Sequence, residues 1–429
     1  MSARSVFSTV FLASAAVFGL GPRDASAATA DAPLFKAKGY FYARYFYLGS
    51  ASSSTVYSGL TAMGSLRISA LDDKIAIQYK SYHWMSFSRT ASAVLESPFE
   101  NRHIVQAVAL ETKDLGLKGL RMKLGRFFPQ LEYASTPVID GGAATWQGGG
   151  FSLSAVLGRT VDLWTGGEDG SDLFAGGQLK YRAGPVSLSA GFNTGAYNGL
   201  KRRELPVGAN LAVSERVWIE GYAAYDPERR ELARAGLSLA WHSDGATLSV
   251  SATEWRNPFD QLMLLDKSGS FATSGLFDAT VPAVYRDARL SGSFMAGEWS
   301  FRGQAGLMSG VRSGWLAAAS MTPPPIFPGW SLTAGFQAMK TDMVQFTSFE
   351  AAVAGDLGAF SLQLQTQLRT YRWISGATGD SYLDDFSELS VEYPLARHLT
   401  LNAAFGGFIR QMGNEGFKPQ AEFRLIFRI

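Results

Sequence analysis

Residues 421–429, AEFRLIFRI, place Phe423, Leu425, Phe427 and Ile429 on one parity and Glu422, Arg424 and Arg428 on the other. Alternation of period two describes a strand with one apolar and one polar face. In a soluble sheet the apolar face packs on a core, and the chain end usually frays into something polar. A chain that stops on its greasy row instead points to a terminal strand that is itself paired. Its apolar side would be held in an apolar medium.

The same pattern runs through most of the chain. In FKAKGYFYARYFYLG (35–49), Phe35, Ala37, Gly39, Phe41, Ala43, Tyr45 and Tyr47 share one face, against Lys36, Lys38, Tyr40, Tyr42 and Arg44. In LKYRAGPVSLSAGFNTG (179–195), Leu179 and Tyr181 alternate with Lys180 and Arg182. After Ala183–Pro185 the alternation resumes with Val186, Leu188, Ala190 and Phe192. In FSLQLQTQLRTYR (360–372), Phe360, Leu362, Leu364 and Leu368 oppose Gln363, Gln365, Gln367 and Arg369. Each greasy face has the length a tilted strand needs to cross a bilayer, roughly nine to eleven residues.

The N-terminus sets the compartment. One Arg in MSARS, the apolar run VFSTVFLASAAVFGL (6–20) and the small-residue sites ASA (25–27) and ATA (28–30) follow in the order of a secretory signal peptide. We assign 1–27 as signal peptide, with 30 as the alternative cleavage point, 28–34 as a short linker and 35–429 as one β domain. No other stretch approaches the ~18 consecutive apolar residues of a spanning helix. There is no cysteine, so neither disulfides nor thiolate metal sites arise, and a net charge of +2 gives no reason to expect a nucleic-acid partner.

Short turn signals rich in Gly, Pro, Asp and Asn recur at 71–74, 112–116, 147–150, 182–185, 213–216, 242–245, 295–298, 323–329, 355–358 and 393–398. Longer links lie between them, including 83–103, 165–172, 257–282 and 373–386. Short links alternating with long ones describe hairpins with one tidy and one elaborate end. Ten short turns join eleven hairpins, so the expected fold is an all-β, antiparallel, up-and-down transmembrane barrel of about 22 strands. Reading QGGG (147–150) as a bulge lowers the count to 20, within a range of 16 to 22. The last strand closes on the first and removes the exposed edges.

With these features the mature chain, 35–429, resembles bacterial outer-membrane β-barrels, porins in particular. Strand-end aromatics at Phe35, Tyr45, Tyr47, Trp241, Trp299, Trp330, Phe360 and Tyr393 fit two interfacial girdles. The C-terminal stretch looks like the signal such proteins present to the barrel assembly machinery, although the last residue is usually Phe and here is Ile429. The acidic PEFGG type of constriction motif is absent from the third external loop, FPQLEYASTPVIDGG (128–142). The resemblance implies an outer-membrane location in a Gram-negative cell, with the lipid bilayer as a partner.

Function should lie on the polar parity. The expected pore-lining residues are Lys36, Lys38, Arg44, Arg67, Lys80, Arg121, Lys123, Lys180, Arg182, Arg234, Arg302, Arg369 and Arg424, joined by Arg289 and Arg428. The inward acids read from parity are fewer, namely Glu220, Asp287, Glu388, Glu392 and Glu422, with the rest expected mainly in external loops and turns. A basic lumen concentrates anions. Neither catalytic residues nor a cofactor or metal site are expected. His83, His103, His242 and His398 show no metal-ligand pairing, although His83 and His103 bracket one loop, and GEDGSD (167–172) reads as a solvated loop. Apolar QLMLL (261–265) suits a loop that folds into the mouth or docks a partner. The leading function is a channel for diffusion of small polar solutes, preferring anions. The alternative is a barrel sheath that holds an electron-transfer protein across the outer membrane.

Overall fold

The computed structural model describes residues 35–48, 57–86, 102–161 apart from 135, 172–197, 200–256, 284–310, 313–341 apart from 326, 344–373, 381–410 and 417–428. The assigned signal peptide and linker, and the loop segment 261–265, lie outside the described residues. Phe35 and Lys36 group with an N-terminal unit, Met1–Lys36, and the barrel body is Ala37–Ile429.

The chain forms 22 strands. They are β1 (Phe35–Leu48), β2 (Tyr57–Ala70), β3 (Ile75–Ser86), β4 (Arg102–Lys113), β5 (Leu120–Phe127), β6 (Ile139–Gly148), β7 (Phe151–Thr160), β8 (Leu173–Ala183), β9 (Val186–Tyr197), β10 (Leu200–Ser214) and β11 (Val217–Asp226). The second half comprises β12 (Glu231–His242), β13 (Ala246–Trp255), β14 (Tyr285–Ala296), β15 (Trp299–Gly310), β16 (Gly314–Thr322), β17 (Trp330–Thr341), β18 (Val344–Leu357), β19 (Phe360–Trp373), β20 (Ser381–Ala396), β21 (Leu399–Arg410) and β22 (Phe417–Arg428). Sequence neighbours pair antiparallel, and β22 returns to β1 with Tyr40 opposite Arg428 through Leu48 opposite Gln420. The sheet is therefore closed, and the stretch 421–428 lies in its sealing strand. A closed barrel satisfies every backbone group without an edge, which a bilayer demands.

All ten expected short turns are present. QGGG is a true hairpin rather than a bulge: Gly149 and Gly150 have φ of 57° and 84°, the left-handed pair a two-residue primed turn requires. The other end of the barrel is less uniform than expected. Some of its links are long, yet 198–199, 227–230, 311–313 and 342–343 are as short as the turns.

The two faces separate cleanly. Large side chains stand exposed on the outer parity, among them Leu153, Leu157, Leu237, Leu307, Phe349 and Leu364. A water-facing surface of this kind would aggregate, whereas a lipid-facing one is stable. At the short-turn end this belt is bounded by aromatic pairs, Phe151 with Tyr181, Phe294 with Phe301 and Phe360 with Tyr393, at ring-centroid distances of 4.6, 4.7 and 4.7 Å. Among the described residues no helix is long and apolar enough to cross a membrane.

Candidate functional site: the barrel lumen and its inward loop

Residues 128–138 apart from 135, between β5 and β6, fold against the inner wall of the barrel. The wall prepares for them with an inner patch that breaks the polar-inward rule. Ala109, Phe127, Ile139, Val156 and Phe174 all fall on the inner parity of β4–β8, and Leu131 of the loop buries against them. Burying a large apolar side chain stabilises by about 1.5–3 kcal/mol, so the patch anchors the loop base firmly. Val138 is also fully buried, and its carbonyl accepts from Val161 N at 2.8 Å.

Two polar clamps hold the loop along the wall. Glu132 N donates to Gln178 Oε1 at 3.0 Å, and Gln178 Nε2 donates back to the Glu132 carbonyl at 3.2 Å. Lys180 closes this clamp with an ion pair to the Glu132 carboxylate. Further along, the Tyr133 hydroxyl donates to Glu220 Oε1 at 2.8 Å and accepts from Asn210 Nδ2 at 3.0 Å. The Tyr133 ring stacks on Tyr222 at 4.9 Å with a 10° interplanar angle. Tyr133 itself adopts φ of 57°, and Gly208 beneath it leaves the room, since a Cβ there would collide with the ring. Burial, then the hydrogen bond to Glu220, pushes the Tyr133 phenol up to about 12. The loop thus reaches from β5–β6 to β10–β11 and narrows the bore. The inward-folding loop is the one the sequence placed as the third external loop, although the PEFGG motif is missing.

The predicted lining residues of the barrel body fall on the inner parity, and many are engaged there. Arg44 and Arg424 both pair with Glu422, whose side chain is only 3% exposed. Arg67 and Lys123 share Glu111, the latter at 2.8 Å, and Lys123 also donates to Gln78 at 3.0 Å. Arg234 holds the fully buried Glu204 at 3.1 Å, with Asn193 on the same carboxylate. Arg289 pairs with Asp287 at 2.6 Å, and Arg369 donates to Gln367. Lys38, Lys80, Arg121, Arg182, Arg302 and Arg428 have no carboxylate partner among the described residues. Lys36, at the start of β1, belongs to the N-terminal unit.

The inward acids are more numerous than parity alone indicated. Glu111, Glu204, Asp226, Glu350 and Asp356 also face inward, and Glu132 reaches the lumen on the folded loop. Glu111 and Glu204 lie within strands, outside the loops and turns where most of the remaining acids were expected. The unpaired cations of β1–β8 stand on one arc of the wall. Glu350, Asp356, Glu388 and Glu392 of β18–β20 stand on another. At the short-turn end of that acidic arc, a cavity of about 320 Å³ is lined by Asp356, Ser361, Gln363, Ser390, Glu392 and Asn402 among others.

The histidines do not gather. His83 and His103 are strand residues directly opposite one another, 5.7 Å between ring centroids, and share the outer parity. Among the described residues no three His, Cys, Asp or Glu side chains are grouped to hold a metal ion.

No family model matches the chain, and no curated protein matches its sequence. Solved structures do resemble it in fold. The translocation pore of the P pilus usher PapC aligns at a TM-score of 0.60 with 10% identity, over 92% of this chain and 99% of that one. A second structure of the PapC usher pore aligns at 0.56 with 8% identity and the same coverage. Pseudomonas aeruginosa OccK2 in complex with glucuronate aligns at 0.44 with 12% identity, over 92% of this chain and 98% of that one, too distant to support more than the comparison itself. The fold is that of the outer-membrane β-barrels.

Proposed function

We propose that this protein is an outer-membrane channel through which small polar solutes diffuse, preferring anions. The observation that carries this reading is the 128–138 loop. It is clamped to the inner wall by Glu132 and Tyr133, so it narrows the bore. A narrow, water-filled bore between low-dielectric walls amplifies the effect of wall charge on passing ions. The cations without carboxylate partners, Lys38, Lys80, Arg121 and Arg182, lie on β1–β8, the arc that also supports the loop. They favour anions there, while the acidic arc of β18–β20 moderates the preference. The reading needs no catalysis and no cofactor. The loop occupies space that a protein held in the lumen would need, and no observation favours the sheath for an electron-transfer protein. Strand β22 seals the barrel and would present the signal for the assembly machinery.

The test is planar-bilayer conductance with reversal potentials measured across a salt gradient. Wild-type protein should conduct with modest anion preference. Arg121→Glu removes one unpaired cation and adds a carboxylate, so it should move the reversal potential toward cations, and the shift should shrink as salt rises. Absence of conductance from the folded barrel would overturn the channel reading. Cation preference in the wild type would overturn the anion reading alone.

A further inference from the structure

Apart from Asp385, the outer face is apolar until the long-loop edge, where the strand ends carry charge. Most of that charge is neutralised in place. Arg126 donates to both oxygens of Asp140 at 2.8 and 2.7 Å, and Arg159 stands opposite the same Asp140. Arg286 donates to Glu254 at 2.8 Å across the β13–β14 ladder.

One row differs. Trp315 lies opposite Lys340, Lys340 opposite Gln345, and Gln345 opposite Arg372, side by side across β16–β19. They share the parity of Phe336, Phe349 and Leu368, which stand exposed on the outer face. Lys340, Gln345 and Arg372 are exposed. Neither cation has a carboxylate partner among the described residues. Asp385, also on the outer parity, is opposite Leu368, roughly 13 Å down the strand from Arg372.

Height decides what such a row meets. Lys340 is ten residues along β17 from Trp330, and Arg372 twelve along β19 from Phe360. At about 3.3 Å per residue and a tilt near 40°, the row stands roughly 25–30 Å above the short-turn girdle. That is the far boundary of an apolar band about 25 Å tall, where lipid headgroups begin and the cost of outward cations falls away. With strands about 4.8 Å apart, the two cations are roughly 10 Å apart at the backbone. Long side chains can therefore converge on one phosphate, Arg372 as a fork and Lys340 as a point charge.

We propose that Trp315, Lys340, Gln345 and Arg372 form an external-edge site for the phosphate of a membrane lipid headgroup. Lys340 and Arg372 supply the charge and Gln345 an amide donor. Trp315 packs on the adjoining acyl chain, as interfacial indoles do. The proposal is independent of what passes through the lumen.

The test uses the full barrel in nanodiscs of phosphatidylcholine with a minority of phosphatidic acid, followed by native mass spectrometry of the retained lipid. Wild-type protein should retain phosphatidic acid over phosphatidylcholine. Lys340→Gln with Arg372→Gln should lower that retention by about 30-fold, the effect of two cations near a membrane surface. Asp385→Asn should leave it unchanged. Heat-modifiable migration confirms that each variant is folded. Equal retention by the double variant would overturn the site, as would equal retention of both lipids by wild type or displacement by inorganic phosphate. A loss of higher-order mass with no change in lipid would also overturn it, by assigning the row to contact between copies.

Discussion

Removing the Tyr133 hydroxyl should loosen the constriction. Tyr133→Phe deletes the 2.8 Å hydrogen bond to Glu220 and the 3.0 Å bond from Asn210, and keeps the stack on Tyr222. A hydrogen bond to a charged group contributes about 1.5–3 kcal/mol. Lumen water can rehydrate Glu220 and Asn210, so the lower figure applies, and loop release should rise about tenfold. Tyr133→Ala also loses the stacked ring pair, another 0.5–1.5 kcal/mol or so, bringing the total to about 2–3 kcal/mol and the release to roughly 30- to 150-fold. Gly208→Ala reaches the same end without removing a polar group, since the new methyl displaces the ring. The assay is single-channel recording. Tyr133→Phe should add brief excursions to a higher conductance, and Tyr133→Ala and Gly208→Ala should dwell there. The Glu132–Gln178–Lys180 clamp holds the loop base throughout. If Tyr133→Ala folds normally yet keeps wild-type conductance and noise, the loop does not set the bore.

Two further outcomes follow from the same geometry. Because the attached Tyr133 titrates near 12 rather than 10, the tether should hold at full strength up to about pH 10. Above that the detached loop ionises and the attached one does not, so release should rise with pH toward 12, by at most tenfold per unit. Open-state noise recorded at pH 7, 9 and 11 checks this, and the Tyr133→Phe variant should lack the alkaline rise. Deleting residues 427–429 should block assembly rather than alter selectivity. It strips Phe427 and Arg428 from their pairs with Phe41 and Tyr40 in β1, leaving unsatisfied backbone in hydrocarbon at several kcal/mol per group. Heat-modifiable barrel in the outer membrane after this deletion would refute the sealing role.

The alternation in 35–49 and 421–429, and the turns from 71–74 to 393–398, determined the architecture and, once 147–150 is a turn rather than a bulge, the strand number, because side-chain parity and turn chemistry are local properties of a strand. Parity likewise determined which face carries each of Arg44, Lys123, Lys180 and Arg369. It could not say which of them are neutralised: Glu111 meets Arg67 and Lys123 only through the β2–β5 registers, and Glu422 meets Arg44 only through closure. The inward loop left a fainter trace. Phe127, Ile139 and Phe174 are apolar on the lumen parity, and Gly208 is bare at the spot Tyr133 covers, but these signals are spread over 82 residues. Only the closed barrel brings β5–β6 and β10–β11 round one lumen, and so only the tertiary structure decided that 128–138 turns inward and narrows it. Contacts between positions far apart in the chain depend on register and curvature, which the period-two pattern does not encode.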